Sequence, residues 1–577
     1  MMKHCLEKSI AFALCLLPAL ARGQAMTTVH PAFSMATLRP PGFNPQVSGL
    51  DFLPDGRLVV STWEGFGNTK GSVYLVSNAQ TGDVSKITYK KFASNLNEPL
   101  GVKVVGGEIY LLQKDQLSLL PDKNNDGVAD EVKKVAGGWT VQPTPAKNLE
   151  FAMGMVYRDS VFYAGLAIAY PFGSTESKER GCIIAISTKT GGFEPYACGT
   201  RTPDGLVLGP EGELFVTENQ GNWVPSSKLL EVKKGRFFGV HTPTSGGGPG
   251  PFDNVPVTPP VLWMDHGTVS ISPTQPAYLT SGVYQGQMIA GDANFGTLQR
   301  YFLEKVNGDY QGCVFRFSGG LEAAVHRAIV GPDGAVYLGG IGTPEWGGWD
   351  WAGKDYGLQR MVPNGKNVFD LLAVRSTGPT TMELEFTTPA GQGADQAANY
   401  RVQQWAYIPQ VDYGAGKQST ENLTVKTVTL STDKRKATLE IQGMKAKDVI
   451  YFKLSGITGA DNAAPWSTEA WYTLNAIGPG TPVTVAKAKP IAASAGQDGL
   501  EIHTHAVGGG RLGFRIASTG AFALEIRDIR GRVRETLRGV GTADILSNGV
   551  YEPGLYVITG NSVRGGASRN IYAVSPK

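Results

Sequence analysis

Ser48-Gly-Leu-Asp-Phe-Leu-Pro-Asp-Gly-Arg-Leu-Val-Val-Ser61 is the stretch on which the fold turns. It reads as a strand, a Pro-Asp-Gly turn and a second strand, because proline presets the first turn position and glycine takes the left-handed one. The phrase returns at Asp204-Gly-Leu-Val-Leu-Gly-Pro-Glu-Gly-Glu-Leu-Phe-Val-Thr217 and at His326-Arg-Ala-Ile-Val-Gly-Pro-Asp-Gly-Ala-Val-Tyr-Leu-Gly339. Weaker copies begin near Leu100, Phe151 and Ala277. Each is followed by a strand of the Gly71-Ser-Val-Tyr-Leu-Val76 or Lys228-Leu-Leu-Glu-Val232 type. Repeated strand–turn–strand units of this kind between about residues 45 and 365 predict a six-bladed β-propeller. A β-sandwich offers similar strands but does not repeat one turn phrase six times.

Outward from the repeat, the phrase stops after Asn367. Residues 368–477 alternate apolar and polar (Met382-Glu-Leu-Glu-Phe386, Ala437-Thr-Leu-Glu-Ile441) and predict an immunoglobulin-like β-sandwich. A Pro/Ala/Gly-rich linker occupies 478–499, and 500–577 reads as a small β-domain. The expected fold is therefore all-β: propeller over 40–367, sandwich, then a small C-terminal β-domain. At the other end, Lys3 and Lys8 precede the apolar run Ser9–Leu20, with Ala21 and Ala25 as small-residue cleavage options. Residues 1–25 thus predict a secretory signal too short to span a bilayer, and a secreted or cell-surface location.

Composition agrees. The chain of 577 residues has 75 glycines and 35 prolines against 18% charged residues, the balance of short strands and tight turns. A formal charge of +3 with no basic run points away from nucleic acid, and no later segment is long and apolar enough to cross a membrane. In an exported chain Cys182 and Cys198, opposite each other on a hairpin centred on residue 190, predict a disulfide. Two buried thiols are the alternative, and Cys313 is left unpaired.

Asp122-Lys-Asn-Asn-Asp-Gly-Val-Ala-Asp130 has the spacing of a Ca²⁺ loop: Asp122, Asn124, Asp126 and Asp130 at positions 1, 3, 5 and 9, the Val128 carbonyl at position 7 and Gly127 at the sharp turn. Lys133 stands where the bidentate Glu belongs, and an Asx-rich turn is the alternative. Arg201-Thr-Pro-Asp-Gly205 with Thr217-Glu-Asn-Gln-Gly-Asn-Trp223 forms a second constellation, and Asp265-His266-Gly267 a third. Trp223, Trp263, Trp346, Trp349 and Trp351 suit either stacking on sugar rings or core packing.

These phrases resemble the glucose/sorbosone dehydrogenase family, soluble propellers that bind pyrroloquinoline quinone (PQQ) and Ca²⁺. The likeness spans about residues 45–475 and includes Glu345-Trp-Gly-Gly-Trp-Asp-Trp351, Tyr356-Gly-Leu-Gln-Arg360 and Trp466-Ser-Thr-Glu-Ala-Trp-Tyr472, phrases of a less characterised secreted subgroup. It implies Arg201 and Arg327 as partners of the quinone carboxylates, with Glu218, Gln220 and Gly221 near the metal. The family's base histidine is absent from Lys147-Asn-Leu-Glu-Phe151, leaving Glu150 or His266 for that role. Its cofactor-contacting lysine is replaced by Asp292-Ala-Asn-Phe-Gly296. The implied activity is oxidation of a sugar or alcohol by hydride transfer to PQQ. The alternative is a non-catalytic propeller that binds glycans or surface partners. Gly531-Arg532 to Leu537 and Gly554–Ile558 resemble C-terminal sorting domains, implying secretion machinery or surface attachment; an ordinary small β-domain is the alternative.

Overall fold

The computed structural model describes residues 26–65, 69–139, 141, 150–168, 178–241, 250–342, 351, 353–479 and 481–482. Beyond residue 500 it describes strands and Ser547. The signal segment 1–25, Trp346 and Trp349, and most of the 478–499 linker lie outside the described residues.

Six antiparallel blades of four strands each make the propeller, and the sheet of the fifth continues beyond its blade. Their innermost strands are Val47–Phe52, Gly101–Val105, Ala152–Arg158, Pro203–Leu208, Pro273–Tyr278 and Val325–Val330. Each touches the next, and the sixth touches the first, so the ring is closed. Every innermost strand therefore runs beside two others near the axis, where backbone approaches backbone. A Cβ on Gly205 would lie 2.0 Å from Gln275 Cα, and one on Gly49 2.8 Å from Val102 N. This explains the glycine that opens two copies of the repeat phrase.

Closure uses a strand that the phrase does not announce. Phe33–Thr37 pairs with Tyr356–Pro363 as the outermost strand of the sixth blade, in register from Phe33↔Pro363 to Thr37↔Gln359. The blade is thus built from both ends of the propeller segment. Just upstream, the buried His30 stacks on Phe317 at 4.8 Å, and its Nε2 lies 2.9 Å from the Tyr284 hydroxyl, which donates to Asp370 at 2.7 Å.

The sandwich is joined to the propeller by a continuous sheet. Glu469–Leu474 pairs with the outermost strand of the fifth blade, Asp309–Ser318, through Gly312↔Thr473, Cys313↔Tyr472 and Val314↔Trp471. Asp448–Leu454, Tyr400–Ala406 and Gln418–Leu423 extend that sheet outward. A second sheet, ordered Leu371–Gly378, Thr381–Phe386, Lys436–Ile441 and Val425–Leu430, covers it. Cys313 and Phe315 of the blade share one apolar core with Leu371, Leu384, Ile450 and Tyr472 of the sandwich. Arg300 is fully buried at this junction, 4.2 Å over the Phe315 ring, and donates to the carbonyls of Leu371 and Leu372.

Cys182 and Cys198 stand opposite each other in the third blade and are bonded, while Cys313 is buried and free, as the hairpin reading expects. The C-terminal strands form two sheets, Glu501–Val507, Arg511–Ala517 and Ala543–Leu546 in one, and Val533–Val540, Ala521–Asp528, Gly554–Ser562 and Ala567–Val574 in the other. No described helix is long and apolar enough to cross a membrane.

Deleting Phe33–Thr37 strips the outermost strand from the sixth blade and exposes the edge of Tyr356–Pro363. The truncated protein is expected to unfold at clearly lower urea concentration than the parent; an unchanged midpoint would show that the strand does not close the ring.

Candidate functional site

Strand alternation sorts the loops into two ends. The Pro-Asp-Gly turns and the loops joining third to fourth strands lie at one end; the loops between second and third strands, and between blades, lie at the other. Arg201, Glu218–Trp223, His266 and Glu150 all fall at the second end. Asp122–Asp130 joins the third and fourth strands of the second blade, at the first end. It is therefore no part of the same site.

Within that loop the acidic side chains are turned to their own backbone. Asp122 accepts from Asp126 N at 3.0 Å and Gly127 N at 2.9 Å, Asp126 from Val128 N at 2.8 Å, and Asp130 from Lys123 N at 2.7 Å. Lys90 Nζ donates to the Asp126 carbonyl. These bonds set the sharp turn of the loop and suit both alternatives for Asp122, Asn124, Asp126, Val128 and Asp130, a Ca²⁺ loop and an Asx-rich turn. Among the described residues no group of three or more His, Cys, Asp or Glu is placed to hold a metal ion.

On the ring axis each innermost strand but the second has a register shift. Such bulges re-aim side chains. They bring Asp204 of the fourth blade and His326 of the sixth together, His326 Nε2 lying 3.0 Å from Asp204 Oδ1. Arg327 occupies the phrase position held by Gly49 and Gly205 and fills the space between blades. It is 1% exposed. Its Nη1 donates to Asp204 Oδ1 at 2.8 Å, Nε to the Ser48 carbonyl at 2.9 Å and Nη2 to the Leu100 carbonyl at 2.6 Å. Burial raises the Asp204 carboxyl, but His326 and Arg327 outweigh it and hold the group below the usual range. Arg327 thus plugs the axis and links the first, second, fourth and sixth blades. It is committed there, which corrects its expected role as a quinone partner.

Arg201 behaves differently. It sits in the loop between the third and fourth blades, 8% exposed, and the position of its loop is set by Glu218. The fully buried Glu218 carboxylate accepts from Arg201 N at 3.0 Å and Thr202 N at 2.8 Å. Burial raises Glu218, opposed by Lys228, its cross-strand neighbour; burial pulls the Lys228 ammonium down to about 8. Gly221 gives the arginine room, because a Cβ there would meet Arg201 Cδ at 2.1 Å. The Arg201 guanidinium lies 5.4 Å from the Tyr413 ring centre, and no hydrogen bond or ion pair to it is formed among the described residues. A nearly buried cation without an acceptor is a site for an anion.

The residues expected near a metal are otherwise engaged. Glu218 holds the Arg201 loop. Gln220 Nε2 donates to the Pro225 carbonyl at 3.2 Å, and the Gly221 carbonyl accepts from Gly414 N at 3.1 Å.

His266 lies close enough to Arg201 to feel its charge. Burial, the largest effect, lowers its pKa; Asp292 and Asp265 raise it and Arg201 lowers it further. Its Nδ1 is buried and has no hydrogen-bond partner among the described residues. Asp265 does not orient it, being held by Tyr407 Oη at 2.9 Å and Lys417 Nζ at 2.8 Å. Asp292, at the replaced-lysine position, accepts from Ser270 Oγ and from the amides of Ile271, Ser272, Asn294 and Phe295, and so ties two loops. Glu150 is buried beside the apolar cluster of Trp63, Leu100, Phe151, Met153, Ala167 and Ile341. Of the tryptophans, Trp263 packs on Tyr407 in the core and Trp223 meets His241 edge-on at 4.7 Å.

Sequence reasoning missed the sandwich's contribution. Trp223 N donates to the Gln410 carbonyl and Asn222 Nδ2 to the Val411 carbonyl, each at 2.8 Å. With Tyr407 and Lys417 on Asp265, residues 407–417 form a clasp over the fourth-blade loops. No repeat or motif in that stretch signals it; the pairing exists because the shared sheet brings the sandwich to this end of the ring.

The family described as domain of unknown function (DUF7133) matches residues 48–237. No curated protein matches the chain. Among solved structures it is similar to a Thermus thermophilus protein described as an oxidoreductase (glucose dehydrogenase), 18% identical over 57% of this chain and 100% of that one, TM-score 0.43. The PQQ-bound aldose sugar dehydrogenase of Streptomyces coelicolor is 19% identical over 57% and 99%, TM-score 0.42. The holo PQQ domain of Coprinopsis cinerea pyranose dehydrogenase is 10% identical over 60% and 98%, TM-score 0.42.

Two outcomes follow from the buried charges. Arg327→Ala leaves Asp204 and His326 without their cation on the axis and is expected to destabilise the protein by about 3–5 kcal/mol in denaturant unfolding. A loss below about 1 kcal/mol, the range of an exposed pair, would contradict the plug. Burial also lowers His266 and His326 from the ordinary value of 6.5, so below that pH the unfolded chain binds more protons than the folded one. Melting temperature is expected to fall more steeply from about pH 7 to 6 in the parent than in a His266→Gln variant, Glu304, pushed up to about 6, acting in the opposite direction in both; equal slopes would refute the buried neutral His266.

Proposed function

We propose that the protein is an exported, PQQ-dependent dehydrogenase-like propeller that oxidises a sugar or alcohol, with Arg201 pairing a quinone carboxylate and His266 serving as base. The observation that carries the reading is the Arg201 guanidinium, nearly buried, given room by Gly221, and lacking an acceptor among the described residues. PQQ supplies a two-electron acceptor bearing carboxylates, which arginine pairs bidentately. The fit extends to one arginine and to the orphaned His266 Nδ1. It does not extend to Arg327 or to a calcium site, so no role is assigned to a metal.

His266 suits a base because burial and the Arg201 charge keep its imidazole neutral at pH 7, ready to take a hydroxyl proton. Glu218 contributes by holding the Arg201 loop through two amides. The apolar run Ser9–Leu20 supports export, and the Gly554–Ile558 strand supports a sorting role for the C-terminal domain. A second reading, a glycan- or surface-binding propeller without catalysis, is favoured by the commitment of Arg327 to the ring axis.

The test is titration with PQQ followed by tryptophan fluorescence, with dye reduction by simple aldoses alongside. Saturable binding that Arg201→Ala abolishes, and that Gly221→Ala weakens by displacing the arginine, supports the enzyme. Intact binding in Arg201→Ala overturns it. Binding of glycans without quinone binding supports the second reading.

A further inference from the structure

We infer that the sandwich completes the ligand site, with Tyr413 as a specificity-determining platform, and that the ligand is a flat aromatic ring bearing a carboxylate. The inference rests on the reading above only in that Arg201 takes a carboxylate.

Three features converge at this point. The Arg201 side chain runs over Gly221, where a Cβ would meet its Cδ at 2.1 Å, and its guanidinium lies 5.4 Å from the Tyr413 ring centre, so an anion that pairs with it arrives near that ring. Tyr413 nevertheless remains 52% exposed, and Val411 and Ile408 of the same loop are 52% and 50% exposed. Large apolar side chains held out at a rim, beside a cation that has no acceptor among the described residues, suit a ligand that is charged at one edge and apolar across its face. The platform is also fixed in place. Asn222 and Tyr413 form an isolated β-bridge, Gly414 N donates to the Gly221 carbonyl at 3.1 Å, and a Cβ on Gly414 would meet the Gln220 amide at 2.6 Å. At the far end of the loop Lys417 and Tyr407 share Asp265. The ring is thus presented by one module to a cation on the other, and neither module alone holds the pair.

The same geometry also suits a plain clasp, in which Tyr413 only fastens the modules. Asn222→Ala separates the two roles, since it removes the Asn222 Nδ2 bond to the Val411 carbonyl and leaves the ring.

Full-length protein and its Tyr413→Ala, Tyr413→Phe, Asn222→Ala and Arg201→Ala variants are titrated with two probes, PQQ and quinoline-2-carboxylate, and their melting temperatures recorded. Tyr413→Ala is expected to weaken both probes by about tenfold, the size of one lost aromatic stack. Tyr413→Phe is expected to bind within about twofold of the parent, because the ring and not the hydroxyl makes the stack. Unchanged affinity in Tyr413→Ala, with Arg201→Ala abolishing binding, overturns the platform and leaves the quinone reading standing. An equal loss in Asn222→Ala marks Tyr413 as a clasp and also overturns it. Binding of quinoline-2-carboxylate but not PQQ, with the expected Tyr413 and Arg201 dependence, sustains the platform and removes the quinone reading. If neither probe binds the parent protein, both fall.

Discussion

The Arg327 guanidinium, buried on the axis of the ring, is the contact around which the propeller is arranged. Its hydrogen bonds reach Ser48, Leu100 and Asp204, residues of three other blades, and Asp204 in turn binds His326 beside it. A charge so fully removed from water is tolerated only when its donors meet acceptors. That requirement fixes the relative height of four innermost strands, and with it the height of the loops they carry. The bulges that aim Asp204 and His326 inward belong to the same arrangement. The candidate site at one end is therefore set on strands joined by the Arg327–Asp204 pair, with Glu218 and Asp292 fixing the loops themselves.

At the end of the ring that carries Arg201, three buried carboxylates are committed to loops. Glu218 binds the Arg201 loop, Asp292 ties two others, and Asp265 receives the sandwich. At this end the Arg201 guanidinium, on a residue 8% exposed, forms no hydrogen bond or ion pair among the described residues, and His266 Nδ1 is buried without a partner among them. Thr200 Oγ1 and Asn219 Oδ1 beside them are likewise buried without partners among the described residues, so the polar groups at this end form a cluster with unused hydrogen-bonding capacity.

The sandwich changes how the domains are to be understood. It continues the sheet of the fifth blade, shares its apolar core and lays residues 407–417 across the fourth-blade loops. A module fastened at a sheet, a core and a clasp has little freedom to move as a separate display domain. Its placement makes it part of whatever the propeller binds.

The strand–turn–strand phrase was enough to specify the six blades, since a repeated turn with fixed flanking alternation admits few packings other than a ring. The alternation after residue 367 indicated the sandwich, and the hairpin centred on residue 190 the Cys182–Cys198 pairing, both being local periodicities. The phrase that carries Arg201 placed it in a loop between blades. The contacts of Arg327 and Glu218 were not legible. Arg327 shares its phrase with Gly49 and Gly205, and nothing local tells whether a side chain at that position points to the axis or to the open end. The spacing of a Ca²⁺ loop and that of an Asx-rich turn are the same, and the amide bonds to Asp122 belong to both. Tyr413 lies 212 residues from Arg201 in the chain, and their contact exists only because the sheet pairing of Cys313 with Tyr472 carries the sandwich to that end. Periodicity along the chain specifies elements and their order; which side chains meet across blades and modules is decided by three-dimensional closure.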